Sequence, residues 1–431
     1  MPVGHWFTEH WFTEQWVTEH WFAEQWVTEH WFAEQWVTEH WFAEPRVTEH
    51  WFAEPRVAEH WLTSALTALA ARQTPRSRGP PEAASMLRKA GQTRSTLAER
   101  DSHVTGMWAA SRRRILTPST SQTKLKRRGF HEKSPEAKQQ LESAGAMFLA
   151  GYALAAQAEQ AWEAESGLAT LPRAYRGFAY EGAGMGFAVR DAIAPRRRHM
   201  TADLIDGRGA DHVYMVYVGV GWALARLPRA FWGRMTDSLT DPVLRWLILD
   251  GYGFHQAYFH TDKYVNRQFT RTDFPWPQAG PAAYANRVVD QGIGRAMWFV
   301  HGADPQRLAD AVDSFPQTRR ADLYAGSALA VTYAGGLDEA ELRVFKQRAR
   351  HYAPQVAQAS AFAATARVRA GNQTSHTALA TGLLAGVTPE EAARVCLGAF
   401  PDPSERTAAG EPAFEVWRER IAAVLAVPSA A

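Results

Sequence analysis

The sequence predicts an all-α protein: a helical-hairpin array of about 35-residue units, curved or closed into a ring, behind a disordered or spurious N-terminal repeat. Three observations predict it. Small-residue pairs recur at Gly182-Ala183-Gly184, Gly219-Val220-Gly221, Gly251-Tyr252-Gly253, Gly292-Ile293-Gly294 and Gly326-Ser327-Ala328, with first residues 37, 32, 41 and 34 apart. Helix-start signals dominate along the chain, while alternating strand-like runs are scarce. Pro172, Arg176, Tyr180 and Gly182 also match Pro316, Arg320, Tyr324 and Gly326 at one common offset.

Residues 1–63 repeat the five-residue pattern x-Trp-(Phe/Val)-(Thr/Ala)-Glu, with Trp at 6, 11, 16, 21, 26, 31, 36, 41, 51 and 61. A five-residue step scatters the rings around a helix and flips them across a strand, so neither structure gathers them into one buried stripe. The substitutions within the repeat (Trp to Arg at 46 and 56, His to Gln or Pro) each need one base change, which points to an expanded nucleotide repeat; a Trp/His-rich binding or aggregation segment is the alternative. Residues 64–106, with Gln73-Thr74-Pro75-Arg76-Ser77-Arg78-Gly79-Pro80-Pro81, read as a disordered linker. Met107 is expected to be the biological start, and residues 107–431 the helical globular domain.

Within that domain Ser134-Pro135-Glu136 is an N-cap, first-turn sequence opening a helix through Leu141, Phe148 and Tyr152. His212 to Val218 is the best strand candidate. Asp304-Pro305 starts another helix, and Asp338 to Tyr352, Thr388-Pro389-Glu390 to Phe400 and Pro412 to Val427 repeat the style. Small residues on one face would let paired helices approach closely. Taking Gly-x-Gly as a phosphate loop is weaker, because the third Gly and a preceding strand are missing.

From Met107 onward 38 Lys+Arg face 31 Asp+Glu, too balanced to argue for nucleic acid. The Arg clusters 112–114 and 196–198, and Lys126-Arg127-Arg128, read as solvated loops or helix ends. Cys396 is the single cysteine, so no intrachain disulfide can form, and its apolar neighbours make it a packing residue. The most apolar run, Val213 to Leu227, is shorter than the roughly 20 residues a bilayer span needs. Without a visible leader at Met1 or Met107, a soluble cytoplasmic protein is expected.

The chemistry-bearing stretch is Asp250-Gly251-Tyr252-Gly253-Phe254-His255-Gln256-Ala257-Tyr258-Phe259-His260. His255, Asp250, Tyr252 and Glu181 are the candidate catalytic residues, with His255 able to act as an acid or base near neutral pH. His255 and His260 are five apart, a poor spacing for two ligands on one helical face, and no metal site is expected. Tyr180, Asp290, Arg295, Arg320, Asp322 and Tyr324 are candidate ligand-binding residues, on the expectation that equivalent helix starts converge on one concave pocket. The plainer alternative is that acids sit at helix N-termini because the macrodipole attracts them. No cofactor follows from these residues.

The segments Arg112-Arg113-Arg114-Ile115-Leu116-Thr117-Pro118-Ser119, Arg176-Gly177-Phe178-Ala179-Tyr180-Glu181-Gly182, Gly219 to Arg226, Asp250 to His255, Asp290 to Arg295, Arg319 to Tyr324 and Ala370-Gly371-Asn372 resemble domain of unknown function 1702. Its members are often labelled "enediyne biosynthesis protein". The resemblance covers about residues 108–400. It implies a bacterial natural-product setting beside an iterative polyketide synthase, with a polyketide intermediate or the synthase itself as partner. Two functions are expected from it: an accessory enzyme or binding chaperone for a hydrophobic polyene or enediyne intermediate, or a non-catalytic scaffold that assembles the biosynthetic proteins.

Overall fold

The computed structural model describes residues 113, 117–194, 196–276 and 282–426. The pentapeptide repeat, the linker, the Met107 start and most of the Arg112–Arg114 cluster lie outside the described residues. Among those described, helices dominate and no strand occurs.

Local signals start several helices where the sequence placed them. Ser134 caps α1 (Pro135–Gln157) by accepting from the Ala137 N–H, with Pro at the first helical position. Short α2 (Ala161–Thr170) leads to α3 (Arg176–Ile193), and α4 (Met200–Asp206) to α5 (Val213–Arg226). The turn-length α6 (Trp232–Thr236) precedes α7 (Leu247–Phe259), followed by α8 (Ala282–Val300). Asp304 caps α9 (Pro305–Asp313), which leads to α10 (Gln317–Ala334). Asp338 closes a capping box on α11 (Glu339–Arg348), ahead of α12 (Ala353–Arg369). Capping boxes at Thr374 and Thr388 open α13 (Ser375–Ala385) and α14 (Pro389–Gly398), and α15 (Ala413–Ala426) ends the described chain.

The strand expected at 212–218 is instead the start of α5. Tyr217, Val216, Val218 and Val220 are all buried, because this helix has neighbours on both flanks. A helix apolar all round loses the one-sided period that betrays most helices.

α1, α3, α5, α7, α8, α10 and α12 pack in sequence, each against the one before and the one after. The Gly-x-Gly pairs explain how. They lie inside the helices rather than ahead of them, and two residues along a helix turn by about 200°, so the two glycines face opposite flanks. The first Gly of each pair meets the preceding helix: a Cβ on Gly219 would lie 2.0 Å from the Glu181 carbonyl oxygen, and on Gly292 1.9 Å from that of Asp250. The second meets the following helix: Gly221 against the Ile248 carbonyl, Gly253 against Val289, Gly294 against Leu323. No side chain fits at any of these positions. The glycines are packing residues, on two faces rather than the one expected, and they leave no room for a phosphate.

Helices far apart in the chain also meet. Gln140 of α1 donates to the Ala334 carbonyl at 2.7 Å, and the Tyr175 hydroxyl donates back to Gln140 at 2.6 Å. From α12, Arg367 donates to the Ala174 carbonyl at 2.8 Å and Arg369 to that of Ala210 at 2.9 Å.

Candidate functional site

The ladder fixes which side chains share a face. Glu181, Asp250 and Gln291 each stand one residue before the first Gly of a pair, and Trp222, Phe254 and Arg295 each stand three residues after one. These two positions are four apart, hence one above the other on a helix. Close backbone approach then brings the faces of α3, α5, α7 and α8 together into one polar and aromatic cluster.

Its centre is a buried charge group. Arg295 Nη2 lies 3.4 Å from Glu181 Oε1, and Arg295 Nε lies 3.1 Å from Asp250 Oδ1, near enough for strong attraction but poorly aligned as a hydrogen bond. Trp222 Nε1 donates to Glu181 at 3.0 Å, and Gln291 Nε2 donates to Asp250 Oδ2 at 2.7 Å. Glu181 is 4 % exposed, Asp250 1 % and Arg295 6 %, so water screens none of them. Burial pushes both carboxyl pKa values up; Arg295 opposes this for each, and Asp250 adds to the rise at Glu181. Two acids facing this guanidinium in a dry site hold a proton more readily than in water, so the cluster can store or pass one.

The aromatic part continues along α7. Trp222 packs on Phe148 at 4.4 Å and Phe254 at 5.0 Å, and Arg295 lies 5.0 Å over the Phe254 ring. His255 stands edge-on to Trp222 at 5.6 Å and beside Phe259 at 4.6 Å. Its Nδ1 is buried without a hydrogen-bond partner in the protein. Burial first, then the charge of Arg226, lowers its pKa well below the usual histidine value, so the ring is neutral at pH 7.

Residues 107–425 match the family described as Protein of unknown function (DUF1702). The chain belongs to that family. No curated protein and no solved structure matches the DUF1702 chain. Its function must therefore be argued from its own site rather than from a fold relative.

The fold of the DUF1702 chain brings Glu181, Asp250 and Arg295 together, and His255 stands against Trp222, the partner of Glu181. The other candidates sit elsewhere. Tyr252 packs on Trp232 and Phe274. Tyr180 stacks on His212 at 4.0 Å, and burial raises its hydroxyl pKa to about 12. Asp290 is gripped by Arg319 at 2.6 and 2.9 Å, and burial still pushes its carboxyl up to about 6. Asp322 joins Arg287 and Arg418 in a separate network with Glu415, and Tyr324 donates to Asp313. Arg320 donates to the Phe315 carbonyl, closing the turn before α10. Convergence of all the acidic positions on one pocket is thus corrected. Asp290 and Asp322 lie off the ladder register, so their side chains leave α8 and α10 on another face.

Glu411, Glu415 and Glu419 form the acidic group with metal-like spacing among the described residues. Arg287 reaches both Glu411 and Glu415 at 2.8 Å, which accounts for their proximity without an ion. The residues of this cluster that the sequence reading missed are Trp222 and Gln291, and register against the glycines would have found both.

Proposed function

We propose that this protein binds a hydrophobic, conjugated polyketide intermediate on the Trp222 face, as an accessory protein of enediyne or polyene biosynthesis. The observation that carries the reading is one buried, helix-borne cluster that joins aromatic rings to desolvated acid, base and cation groups. Trp222 and Phe254 keep 8 % and 6 % of their surface, while Val220, Ile248 and Ile293 in the helix contacts keep none. A conjugated chain is flat and polarisable, and it stacks on such rings; Arg295, Asp250 and Glu181 suit a carbonyl along it. His255, neutral and with Nδ1 uncommitted, is the group placed to accept a hydrogen bond from it. In this reading the row is a curved or ring-closed array of about 35-residue units, which gives the cluster a concave setting.

The test is a fluorescence titration of the full chain with the methyl ester of a conjugated tetraene fatty acid. Trp222→Leu should weaken binding by about tenfold, the roughly 1.4 kcal/mol of an aromatic contact beyond simple burial. A parent protein that does not bind, or equal affinity in a folded Trp222→Leu variant, rejects the proposal.

A further inference from the structure

We propose that the edge of the Trp222 cluster at Arg128, Arg226 and His260 binds the ionised carboxylate end of the conjugated ligand, an inference that rests on the polyene-binding reading above. Helix register builds this edge. Arg226 stands four residues after Trp222 at the end of α5, and Phe259 four after His255 at the end of α7, so each pair shares one helical face. Phe259 lies 6.0 Å from Trp222 and 4.6 Å from His255, and the Arg128 guanidinium, from the turn before α1, lies 4.6 Å over the same ring. The His260 ring follows, 6.3 Å from that of His255.

Exposure rises along this line. Trp222 and His255 are buried, whereas Arg128, Arg226, Phe259 and His260 are half-buried. The cluster thus reaches the surface at this edge, where a head group needs no interior cavity. Two buried polar atoms on either side of Phe259, His255 Nδ1 and Arg128 Nε, have no partner within the protein. Buried polar groups are nearly always paired, and an arginine Nε can only donate, so what is missing here includes an acceptor.

The charge of the edge selects an anion. The groups whose charge acts on His255 are Arg226, His260 and Arg128, and those acting on His260 are Lys263 and Arg128; no carboxylate of the described residues is among them. Glu142, whose charge reaches Tyr258, is held by Lys124 at 2.7 Å, and Asp262 by Arg267 at 2.9 Å. Helix ends account for only part of this excess. Arg128 donates to the Tyr258 and Phe259 carbonyls at 3.2 and 3.3 Å, where α7 ends beside the end of α5. Each helix C-terminus carries roughly half a negative charge, so the two offset about one of the two positive charges that Arg128 and Lys263 alone bring. A carboxylate supplies the balance at the surface and lets the conjugated chain run inward along Phe259 to Trp222.

The experiment compares cis-parinaric acid with its methyl ester on the full chain by polyene fluorescence at about pH 8, where the carboxyl is ionised. The acid should bind at least about tenfold tighter than the ester, the scale of one charge-assisted hydrogen bond. Arg226→Gln and Lys263→Gln should each shrink that ratio by about threefold or more, as loss of one nearby charge does. Lys263→Gln decides if Arg226→Gln fails to fold. Equal affinity for acid and ester in the parent protein overturns the basic edge alone and leaves the aromatic cluster standing. An acid whose advantage survives both substitutions is held elsewhere, which overturns the basic edge as well. Binding of neither ligand overturns both proposals.

Discussion

Replacing Gly292 by Ala tests the packing on which the site depends. The added Cβ would sit 1.9 Å from the Asp250 carbonyl oxygen and 2.7 Å from the Phe254 nitrogen, both fixed backbone atoms. Ordinary contact begins near 3.4 Å, so α8 must retreat from α7 by about 1.5 Å. Overpacking of this kind costs about 1–3 kcal/mol or more, against roughly 1 kcal/mol gained from helix propensity. Because the clash is with fixed backbone, the cost falls at the top of that range and the net is a loss of about 2 kcal/mol, several degrees in Tm for a domain of this size. Gly382→Ala is the control. Gly382 is exposed within α13 and has no heavy atom within 4 Å of a Cβ, so propensity alone should stabilise by about 0.5–1 kcal/mol. Urea unfolding followed by circular dichroism reads both midpoints. If Gly292→Ala unfolds at the same or higher urea than the parent, the close-approach argument is refuted.

Other substitutions probe the buried charges. Arg295→Met leaves Glu181 and Asp250 without the guanidinium they face, and should cost about 3–5 kcal/mol at pH 8. Because both carboxyl pKa values are already raised, protonation should relieve part of that cost at pH 5; equal loss at both pH values would contradict the proton-holding picture. Burial depresses His212 from the usual 6.5 to about 4, so its neutral form stabilises the fold fully above pH 6.5 and the contribution is lost as pH falls toward 4. His212→Phe keeps a ring against Tyr180, and the parent should lose up to about 3 kcal/mol relative to it across that window; parallel stability curves would dismiss the assignment. Cys396 is fully buried with its thiol pushed up to about 12, so a disulfide reagent should label it only on unfolding. Labelling within minutes under native conditions would mean the α14 packing is wrong.

What could be read in the sequence is what local chemistry encodes. Ser134, Asp304, Asp338 and Thr388 marked true helix starts, because an N-cap satisfies backbone N–H groups within three residues of itself. The glycine recurrence was also legible, but its geometry was not. A Gly-x-Gly ahead of an apolar run looks like a turn, and nothing local says that both flanks of the helix will be covered. The same cause turned residues 212–218 into an apparent strand. At the site, Glu181 and Asp250 were found by their place before a glycine, while Asp290 and Asp322 were one or more residues out of register and went to other partners. Arg319, Arg367 and Arg418 bind groups from 29 to 193 residues away, and such pairings exist only once the row has formed.

The nine glycines of the five small-residue pairs, Gly182 to Gly326, press on neighbouring backbones and bear on how the chain folds. In a lone helix each lowers helix stability by about 0.8–1 kcal/mol relative to Ala, roughly 7–9 kcal/mol in all, the scale of a whole domain's net stability. α5 or α8 taken out as a peptide should therefore show little helical circular dichroism. Helix formation and docking then become a single event: each helix acquires its structure from the neighbour it touches, and secondary structure spreads along the row as the row assembles.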